Sequence, residues 1–233
     1  MRYHFGVNLV LGVLVLSVGA LCLAPINETA YTSGDETKVL RKAENGDGVS
    51  LMFNVYWGTE EVYRILDILD KKKVKATFFI GGCWADDNTA CLKAIAQKGH
   101  EIGNHGYFHK EHNKLTLAQN RKEIEDCNSF INLTTGVKPM LFAPPSGAYN
   151  ADTLTAVEDM QMKTVLWSKD TIDWRDKNAS VIYTRATKNI QKGDFVLMHP
   201  MSATADALED ILKYYEAKSL PVLTVSENLK GKG

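Results

Sequence analysis

The chain has 233 residues, of which 45% are hydrophobic and 24% are charged, and these are ordinary values for a globular protein. Once an N-terminal targeting segment is set aside, roughly 200 residues remain, which suits one α/β domain better than two. With 27 basic and 28 acidic side chains the net charge is −1. No face or tail is rich in Lys or Arg, so we expect no nucleic acid partner.

The N-terminal segment predicts export from the cytoplasm. Arg2 precedes an apolar run over residues 5–24 that only one Asn and one Ser interrupt. A signal-peptide core usually has about 7–15 residues and a membrane-spanning helix about 20, so this run lies at the long end. We interpret residues 1–27 as a signal peptide or an uncleaved membrane anchor, with a buried first helix as the alternative.

Residues 28–47 are polar and lack periodicity, which is typical of a linker, and residues 48–233 are expected to form the folded domain. A signal peptide and an anchor would both place this domain outside the cytoplasm, either secreted or held on the outer face of the cell membrane. The membrane is a partner only if the segment stays uncleaved, and the domain itself is expected to be a monomer.

From residue 49 onward, apolar runs of strand length alternate with amphipathic stretches of helix length. Strands are predicted over 49–56, 76–80, 100–103, 140–143, 164–167, 195–198 and 222–225. Helices are predicted over 60–72, 90–98, 117–133, 151–160, 180–191 and 205–218, with Thr116 as a cap of the third. This alternation predicts a parallel sheet with crossover helices. Seven or eight such units in about 180 residues suit a small (β/α) barrel better than the alternative, an open sheet.

Polar and aromatic residues follow most of the predicted strands. The segments concerned are 54–58, 104–109, 143–146 and 168–173, together with His199. In βα architectures the residues that carry chemistry gather at the carboxyl ends of the strands. These segments are therefore predicted to form one shared site.

His105 and His109 are the strongest candidates for metal ligands. Histidines four residues apart present both imidazoles to one point if the segment turns helically, a common way to hold a divalent metal. The alternative is that both are solvated loop histidines. Their position directly after a predicted strand favours the metal site.

His199, Asp170 and Asp173 are candidates for the acid–base chemistry. His199 ends the penultimate predicted strand, where it could act as a general acid, although a single histidine is more often structural. The two aspartates could orient this histidine or line a sugar site beside Trp174. Their alternative role is helix capping.

The chain has four cysteines, and one of them, Cys22, lies inside the N-terminal apolar run. Cys83 and Cys91 flank a short turn rich in Asp and Asn, and they could form a disulfide in an oxidising compartment. The alternative is that they are small buried residues. If the disulfide forms, Cys127 is a spare thiol, and no Cys spacing is typical of a zinc site.

Five segments carry a resemblance to a known family. In chain order, residues 75–79 read KATFF, 99–105 read GHEIGNH, 142–149 read FAPPSGAY, 170–174 read DTIDW and 197–199 read LMH. Together they resemble the polysaccharide deacetylases of carbohydrate esterase family four, which include peptidoglycan and chitin deacetylases. The resemblance covers nearly the whole chain from residue 49 to residue 229.

The resemblance implies a distorted (β/α) barrel of about seven parallel strands. It implies a hydrolase that removes N-acetyl groups from amino sugars of a cell-wall polysaccharide such as peptidoglycan or chitin. A divalent metal, usually zinc, would be held by His105 and His109 and would polarise the acetyl carbonyl and the attacking water. His199 would be the acid to the leaving amine. The residues expected to contact the sugar are Trp57, Pro145, Tyr149 and Trp174.

Three positions depart from the family pattern. The family's first motif has two successive aspartates, a base and then a metal ligand, but here Asn54 stands at the first position and Val55 at the second. Ala143 stands where the family has an arginine that positions the base. An amide cannot accept a proton at neutral pH and Val has no lone pair. Because the three changes are mutually consistent, they indicate a divergent subtype with a rebuilt site.

Two functions follow as hypotheses. In the first, which we favour at this point, the domain is an active deacetylase with a non-standard catalytic set, in which Asp170 or Asp173 supplies the missing carboxylate. Glu60 or Glu61 is a further source, although acidic residues there are more typical of the first turn of a helix. In the second, the domain is an inactive relative that binds glycan. The intact histidines and aspartates favour the first, and the three departures favour the second.

Overall fold

The computed structural model describes residues 38–231, which form an eight-stranded sheet whose neighbouring strands are all parallel. In chain order the strands are β1 (Val39–Leu40), β2 (Ser50–Val55), β3 (Thr77–Ile80), β4 (Glu101–Asn104), β5 (Leu141–Phe142), β6 (Lys163–Val165), β7 (Lys169–Asp170) and β8 (Phe195–Met198). The predicted signal or anchor segment, 1–27, lies outside the described residues.

Helices connect the strands and cover the outer face of the sheet. In chain order they are α1 (Thr59–Lys71), α2 (Gly82–Asp87), α3 (Thr89–Gln97), α4 (Leu117–Thr135), α5 (Ala151–Asp159), α6 (Asp173–Asp176), α7 (Ala179–Thr187), α8 (Ser202–Ala217) and α9 (Val225–Lys230). Short 3-10 turns lie at His112–Lys114 and Pro145–Gly147. Thr116 caps α4 as predicted, in a capping box with Gln119.

The sheet curls into a distorted (β/α) barrel, as predicted. The strand order is β1-β6-β5-β4-β3-β2-β8-β7, so β1 and β7 are the two edges. An isolated antiparallel bridge between Lys42 and Asp194 links the segment after β1 to the residue before β8, the strand next to the other edge, β7. This closure places the carboxyl ends of all the strands around one opening.

The two faces of the sheet are both apolar, which is why its strands have nearly continuous hydrophobic sequences. Successive side chains of a strand point to opposite faces. In β2, Met52 points into the barrel, where it packs with Phe79 and Leu197. Phe53 points outward into the larger cluster between the sheet and the helices.

The prediction of a strand over 222–225 is wrong. Only Val222 makes a bridge, to Val49, and the chain enters α9 at Val225. Thr224 accepts a hydrogen bond from the Glu227 N–H and in return donates its own N–H to the Glu227 carboxylate, at 2.9 Å. This capping box starts a helix in a segment whose β-branched residues favour a strand.

The domain also begins earlier than predicted. Residues 38–47 belong to the predicted linker, but Val39–Leu40 pair with β6 and both Val39 and Ala43 are buried. A strand of two residues is too short to leave an alternating pattern in the sequence. The rest of the predicted linker, up to residue 37, lies outside the described residues.

No helix within residues 38–231 is long and apolar enough to cross a membrane, and the apolar run over 5–24 lies outside this range. Within the same part of the chain, Cys83, Cys91 and Cys127 are free thiols. The possible Cys83–Cys91 disulfide is therefore not formed. Cys91 is buried in the large apolar cluster, as the alternative expects, whereas Cys83 is only half-buried. Cys127 is buried in the same cluster.

Candidate active site

A cavity of about 420 Å³ opens at the carboxyl ends of β2, β4, β7 and β8. The residues that line it are Asn54, Trp57, His105, His109, Ser146, Trp167, Asp170, Trp174, Leu197 and His199. Six of the predicted site residues are among them. Other hollows on the described surface are lined without histidine, so this cavity is the candidate active site.

His105 is held as a neutral imidazole with one free lone pair. Its Nδ1 lies 2.7 Å from the carbonyl oxygen of Ala143, and because a carbonyl only accepts, Nδ1 must carry the proton. Burial holds the pKa of this imidazole well below its ordinary value, and the neighbouring His109 lowers it further. The lone pair therefore resides on Nε2, the arrangement that metal-binding histidines adopt.

His109 lies beside His105 in a strained backbone conformation. The two ring centroids are 5.1 Å apart with the rings inclined at 72°. The backbone φ of His109 is +53°, a left-handed conformation that costs a non-glycine residue about 1–2 kcal/mol. Burial lowers the pKa of its imidazole as well. Strain of this kind persists where the surrounding structure holds the residue in place.

The segment that carries both histidines is held by polar residues of α4 and β4. The Glu123 carboxylate accepts hydrogen bonds from the N–H groups of Tyr107 and Phe108, at 3.1 and 2.8 Å. Asn104 accepts the N–H of Gly106 at 2.7 Å and donates to the Ile124 carbonyl at 2.8 Å. These bonds determine the path of the chain between the two histidines.

His199 is fixed by Asp173, which is fully buried. Nδ1 of His199 lies 2.7 Å from the carboxylate of Asp173, which also accepts the backbone N–H of His199 at 2.6 Å. The same carboxylate accepts the hydroxyl of Thr204 at 2.7 Å and the N–H of Trp174 at 2.9 Å. Asp173 is therefore an orienting group for His199, and its oxygens are fully engaged in that role.

Trp57 covers one face of His199. The two rings are nearly parallel, at 7°, with centroids 5.5 Å apart, and the indole N–H donates to the sulfur of Met201. The following residue, Gly58, has φ +74°, and a Cβ there would lie 2.2 Å from the Pro200 carbonyl oxygen. Only glycine allows the Trp57 loop to approach the His199 loop this closely.

The two substituted positions of β2 lie on opposite faces of the sheet. Asn54 lines the cavity, is 4% exposed, and has a buried side-chain oxygen without a hydrogen-bond partner among the described residues. Val55 is fully buried in the cluster between sheet and helices. Strand alternation therefore directs the Val55 side chain away from the cavity.

The remaining carboxylates differ in their access to the cavity. Asp170 lines it, although one of its oxygens accepts the Ile172 N–H at 2.8 Å. Glu60 and Glu61 lie in the first turn of α1, and Glu61 pairs with Arg64 at 2.8 Å. Neither glutamate lines the cavity. Asp170 is thus the carboxylate that the described residues offer to a ligand there.

Two predicted sugar contacts do not lie in the cavity. Tyr149 is 4% exposed and packs with Val39, Leu154 and Leu166 in a small apolar cluster. Pro145 is buried and does not line the cavity, whereas its neighbour Ser146 does. Ser146 has φ +57°, and this backbone turn presents residue 146 to the cavity.

The cavity contains side chains that could bind a divalent metal. Within residues 38–231, no group of three or more His, Cys, Asp or Glu side chains is arranged to hold a metal ion. The cavity nevertheless offers two imidazoles, which suit zinc and similar ions, beside the unpaired oxygen of Asn54. The residues fit such a metal, which His105 and His109 would hold.

Glu123 is the functional residue that the sequence analysis missed. Ile124 and Cys127 lie on the buried face of α4, as the helical period predicts. Asn120 and Glu123 lie on the same buried face although they are polar. A buried carboxylate on such a face requires hydrogen-bonding partners. Polar residues that interrupt an apolar stripe are the signal that points to it.

The sequence and the fold were compared with known proteins. The polysaccharide deacetylase family profile matches residues 41–165. A Bacillus subtilis (strain 168) protein named YlxY is 42% identical over 77% of this chain and 56% of its own length. The peptidoglycan-N-acetylmuramic acid deacetylase PdaC of the same organism is 33% identical over 70% of this chain and 35% of its own.

Among solved structures, BA3943 from Bacillus anthracis, described as a CE4 family pseudoenzyme, superposes with a TM-score of 0.80. It is 36% identical, and the match covers 82% of this chain and 68% of that one. A BA3943 mutant described as having restored enzymatic activity also superposes with a TM-score of 0.80, at 34% identity over 82% of this chain and 71% of that one. The chain spans between about a third and just over half of the length of the two curated relatives.

The match in sequence extends over more than half of the chain, and the barrel and the polar cavity at its carboxyl end agree with it. The chain belongs to the polysaccharide deacetylase family.

Proposed function

We propose that this domain binds an N-acetylated glycan of the peptidoglycan type in the cavity and does not remove its N-acetyl groups. The observation that carries the proposal is the absence of a free base at the end of β2, where Asn54 stands. Asp173, the buried carboxylate nearest to the acid histidine, is bound by four donors. The similarity to a pseudoenzyme of the family supports the same conclusion.

The retained residues are sufficient for binding. Trp57 and Trp174 are 38% and 51% exposed and line the same cavity. Aromatic rings in this position stack on the apolar faces of sugar rings. The His199 tautomer with the proton on Nδ1 presents Nε2 as a hydrogen-bonding atom for the acetamido group.

Without Asp170 as a base, the retained residues are not sufficient for hydrolysis. A metal on His105 and His109 would supply polarisation of the acetyl carbonyl, but the attacking water must also lose a proton. The Asn54 amide cannot accept that proton, and a positioned general base contributes about 10²–10⁴-fold to a rate. We therefore expect binding without measurable acetate release.

Hydrolysis with Asp170 as the base is the second candidate, because Asp170 is a carboxylate that lines the cavity. Its hydrogen bond to the Ile172 N–H would leave the second oxygen for a water. This candidate requires acetate release that is lost in Asp170→Asn, while binding of the glycan is retained.

The test combines calorimetric binding with acetate release, using the purified full chain, chitin oligomers and N-acetylated peptidoglycan. We expect binding in the micromolar to millimolar range and no acetate above a protein-free blank. Asn54→Asp places a carboxylate at the cavity, and the matched control Asn178→Asp adds the same charge at the exposed cap of α7. Acetate from the native chain that disappears in Asp170→Asn would establish the second candidate, and absence of any glycan binding would refute the proposal.

We also propose that the domain acts outside the cytoplasm, either secreted or tethered by the N-terminal segment. The apolar run over 5–24 and the peptidoglycan-type ligand support this location. Fractionation of cells that produce the full chain tests it. Recovery of the whole protein in the cytoplasmic fraction would contradict it.

A further inference from the structure

Among the residues that line the cavity, Asn54 is the one with a buried side-chain atom that lacks a hydrogen-bond partner within the described chain. Buried side-chain oxygens and nitrogens in proteins are nearly always hydrogen-bonded. Asn54 is 4% exposed, its Oδ1 is buried, and no described residue donates to it. The described residues therefore supply no donor to this carbonyl oxygen, and a ligand in the cavity would give it a partner.

The neighbouring cavity groups are acceptors as well. His105 uses its Nδ1 proton on the Ala143 carbonyl, which leaves the lone pair of Nε2. His109 lies beside it with ring centroids 5.1 Å apart, and both histidines line the cavity with Asn54. An amide oxygen and imidazole nitrogens that line one cavity are ligands that a divalent transition metal accepts.

We propose that the carboxamide oxygen of Asn54 is the third protein ligand of a divalent transition metal held by His105 and His109. Val55 cannot take this role, because its side chain has no lone pair and is buried in the outer cluster. Strand alternation directs the Asn54 side chain inward, on the same face as Met52. The proposal deepens the proposed function of the same cavity, since it identifies the ligand set through which an acetyl oxygen would be bound.

A ligand set of two imidazoles and one amide has no negative charge. Such a set holds a metal less tightly than one with a carboxylate, because no ligand neutralises the ion. Imidazole-rich sites prefer the later first-row ions, so we expect Ni²⁺ and Zn²⁺ to bind more tightly than Mn²⁺. A metal that keeps its full charge also attracts a neutral carbonyl oxygen strongly.

The test uses the metal alone as the probe, titrated calorimetrically as Zn²⁺ and as Co²⁺ into the metal-free full chain, with the visible Co²⁺ spectrum as a second readout. We expect Asn54→Ala and the bulkier Asn54→Leu to weaken binding by about tenfold or more and to change the Co²⁺ spectrum. Asn54→Asp should tighten binding. His105→Ala should abolish it, and the exposed control Asn132→Ala on α4 should match the native chain. Circular dichroism melting checks the fold of each variant.

Native affinity and an unchanged Co²⁺ spectrum in both Asn54→Ala and Asn54→Leu would overturn the ligand role of Asn54. No binding of either metal by the native chain would overturn the metal site as a whole. Because these titrations contain no glycan, they do not depend on the proposed function. Glycan binding by the metal-loaded native chain is measured separately, and its absence would count against the proposed function alone.

Discussion

Asp173 holds His199 at two points, since its carboxylate accepts both the ring Nδ1 proton at 2.7 Å and the backbone N–H at 2.6 Å. The imidazole is thereby fixed in one tautomer and one orientation. The same geometry removes Asp173 from the set of possible bases. A carboxylate that accepts four hydrogen bonds in a fully buried position is a structural and orienting group.

Asp173→Asn should destabilise the domain and release His199 from its fixed orientation. An amide cannot accept at all the positions that the carboxylate now serves, and hydrogen bonds to a charged group contribute about 1.5–3 kcal/mol each. Urea unfolding measures the loss. Asp67→Asn is the matched control, because Asp67 is 69% exposed, and we expect less than about 0.5 kcal/mol there. A loss at Asp173 as small as that of the control would contradict the orienting role.

Glu123→Gln should loosen the segment that carries His105 and His109. The carboxylate accepts two backbone N–H groups and pairs with Lys110 at 2.8 Å, and hydrogen bonds to a charged group contribute about 1.5–3 kcal/mol. Hydrogen exchange should become faster at the amides of Tyr107 and Phe108. We also expect metal affinity to fall by about 10–100-fold.

The control for this variant is Glu125→Gln, on the exposed side of the same helix. It should leave both the exchange rates and the metal affinity at native values. If Glu123→Gln lowers the melting temperature but leaves the exchange of Tyr107 and Phe108 unchanged, then Glu123 supports the helix and not the histidine segment.

Trp57→Ala should weaken glycan binding. Aromatic stacking contributes about 0.5–1.5 kcal/mol beyond buried area, so we expect a loss of roughly threefold to tenfold, measured by calorimetry with chitin oligomers. Trp57→Phe keeps an aromatic ring and should retain most of the affinity. Leu133, which is 86% exposed on α4, supplies a control substitution to Ala. Equal affinities for all three variants and the native chain would exclude Trp57 from the binding surface.

Acid should destabilise the domain through His100. Burial lowers the pKa of this histidine to about 4, whereas an unfolded histidine has a pKa of about 6.5. Between these values the unfolded chain binds a proton that the folded chain does not, so stability is complete above about pH 6.5 and declines as the pH falls toward 4. Each pKa unit corresponds to about 1.36 kcal/mol, so we expect His100 to account for about 1–2 kcal/mol of the loss between pH 7.5 and pH 5.

His100→Asn isolates this contribution, because an amide oxygen can still accept the Ala76 N–H that Nδ1 now accepts at 3.2 Å. Urea unfolding at pH 7.5 and pH 5 should show a smaller difference for the variant than for the native chain. The same pH dependence in both proteins would mean that other groups carry the acid sensitivity.

The sequence by itself determined the barrel and the position of the site. Continuous apolar runs such as β2 and β3 are typical of strands buried on both faces, and their alternation with amphipathic helices predicts parallel pairing. Parallel strands bring their carboxyl ends to one opening, so His105, His109, Asp170 and His199 could be grouped although they are far apart in the chain. The elements that could not be predicted were two very short strands and a helix that depends on its N-terminal cap. The strands β1 and β7 have two residues each, too few for a periodicity, and the Thr224 cap decided between strand and helix near residue 225.

Only the tertiary structure decided what each polar residue at that opening is free to do. Asp170 and Asp173 are three residues apart and look equivalent in the sequence, but one lines the cavity and the other is enclosed by donors that come from α6, α8 and the His199 loop. Asn54 and Val55 are adjacent, but the strand turns one inward and the other into the outer cluster. The physical reason is that hydrogen-bond donors and strand faces are assembled from distant segments, and the residue types alone do not record which segments meet.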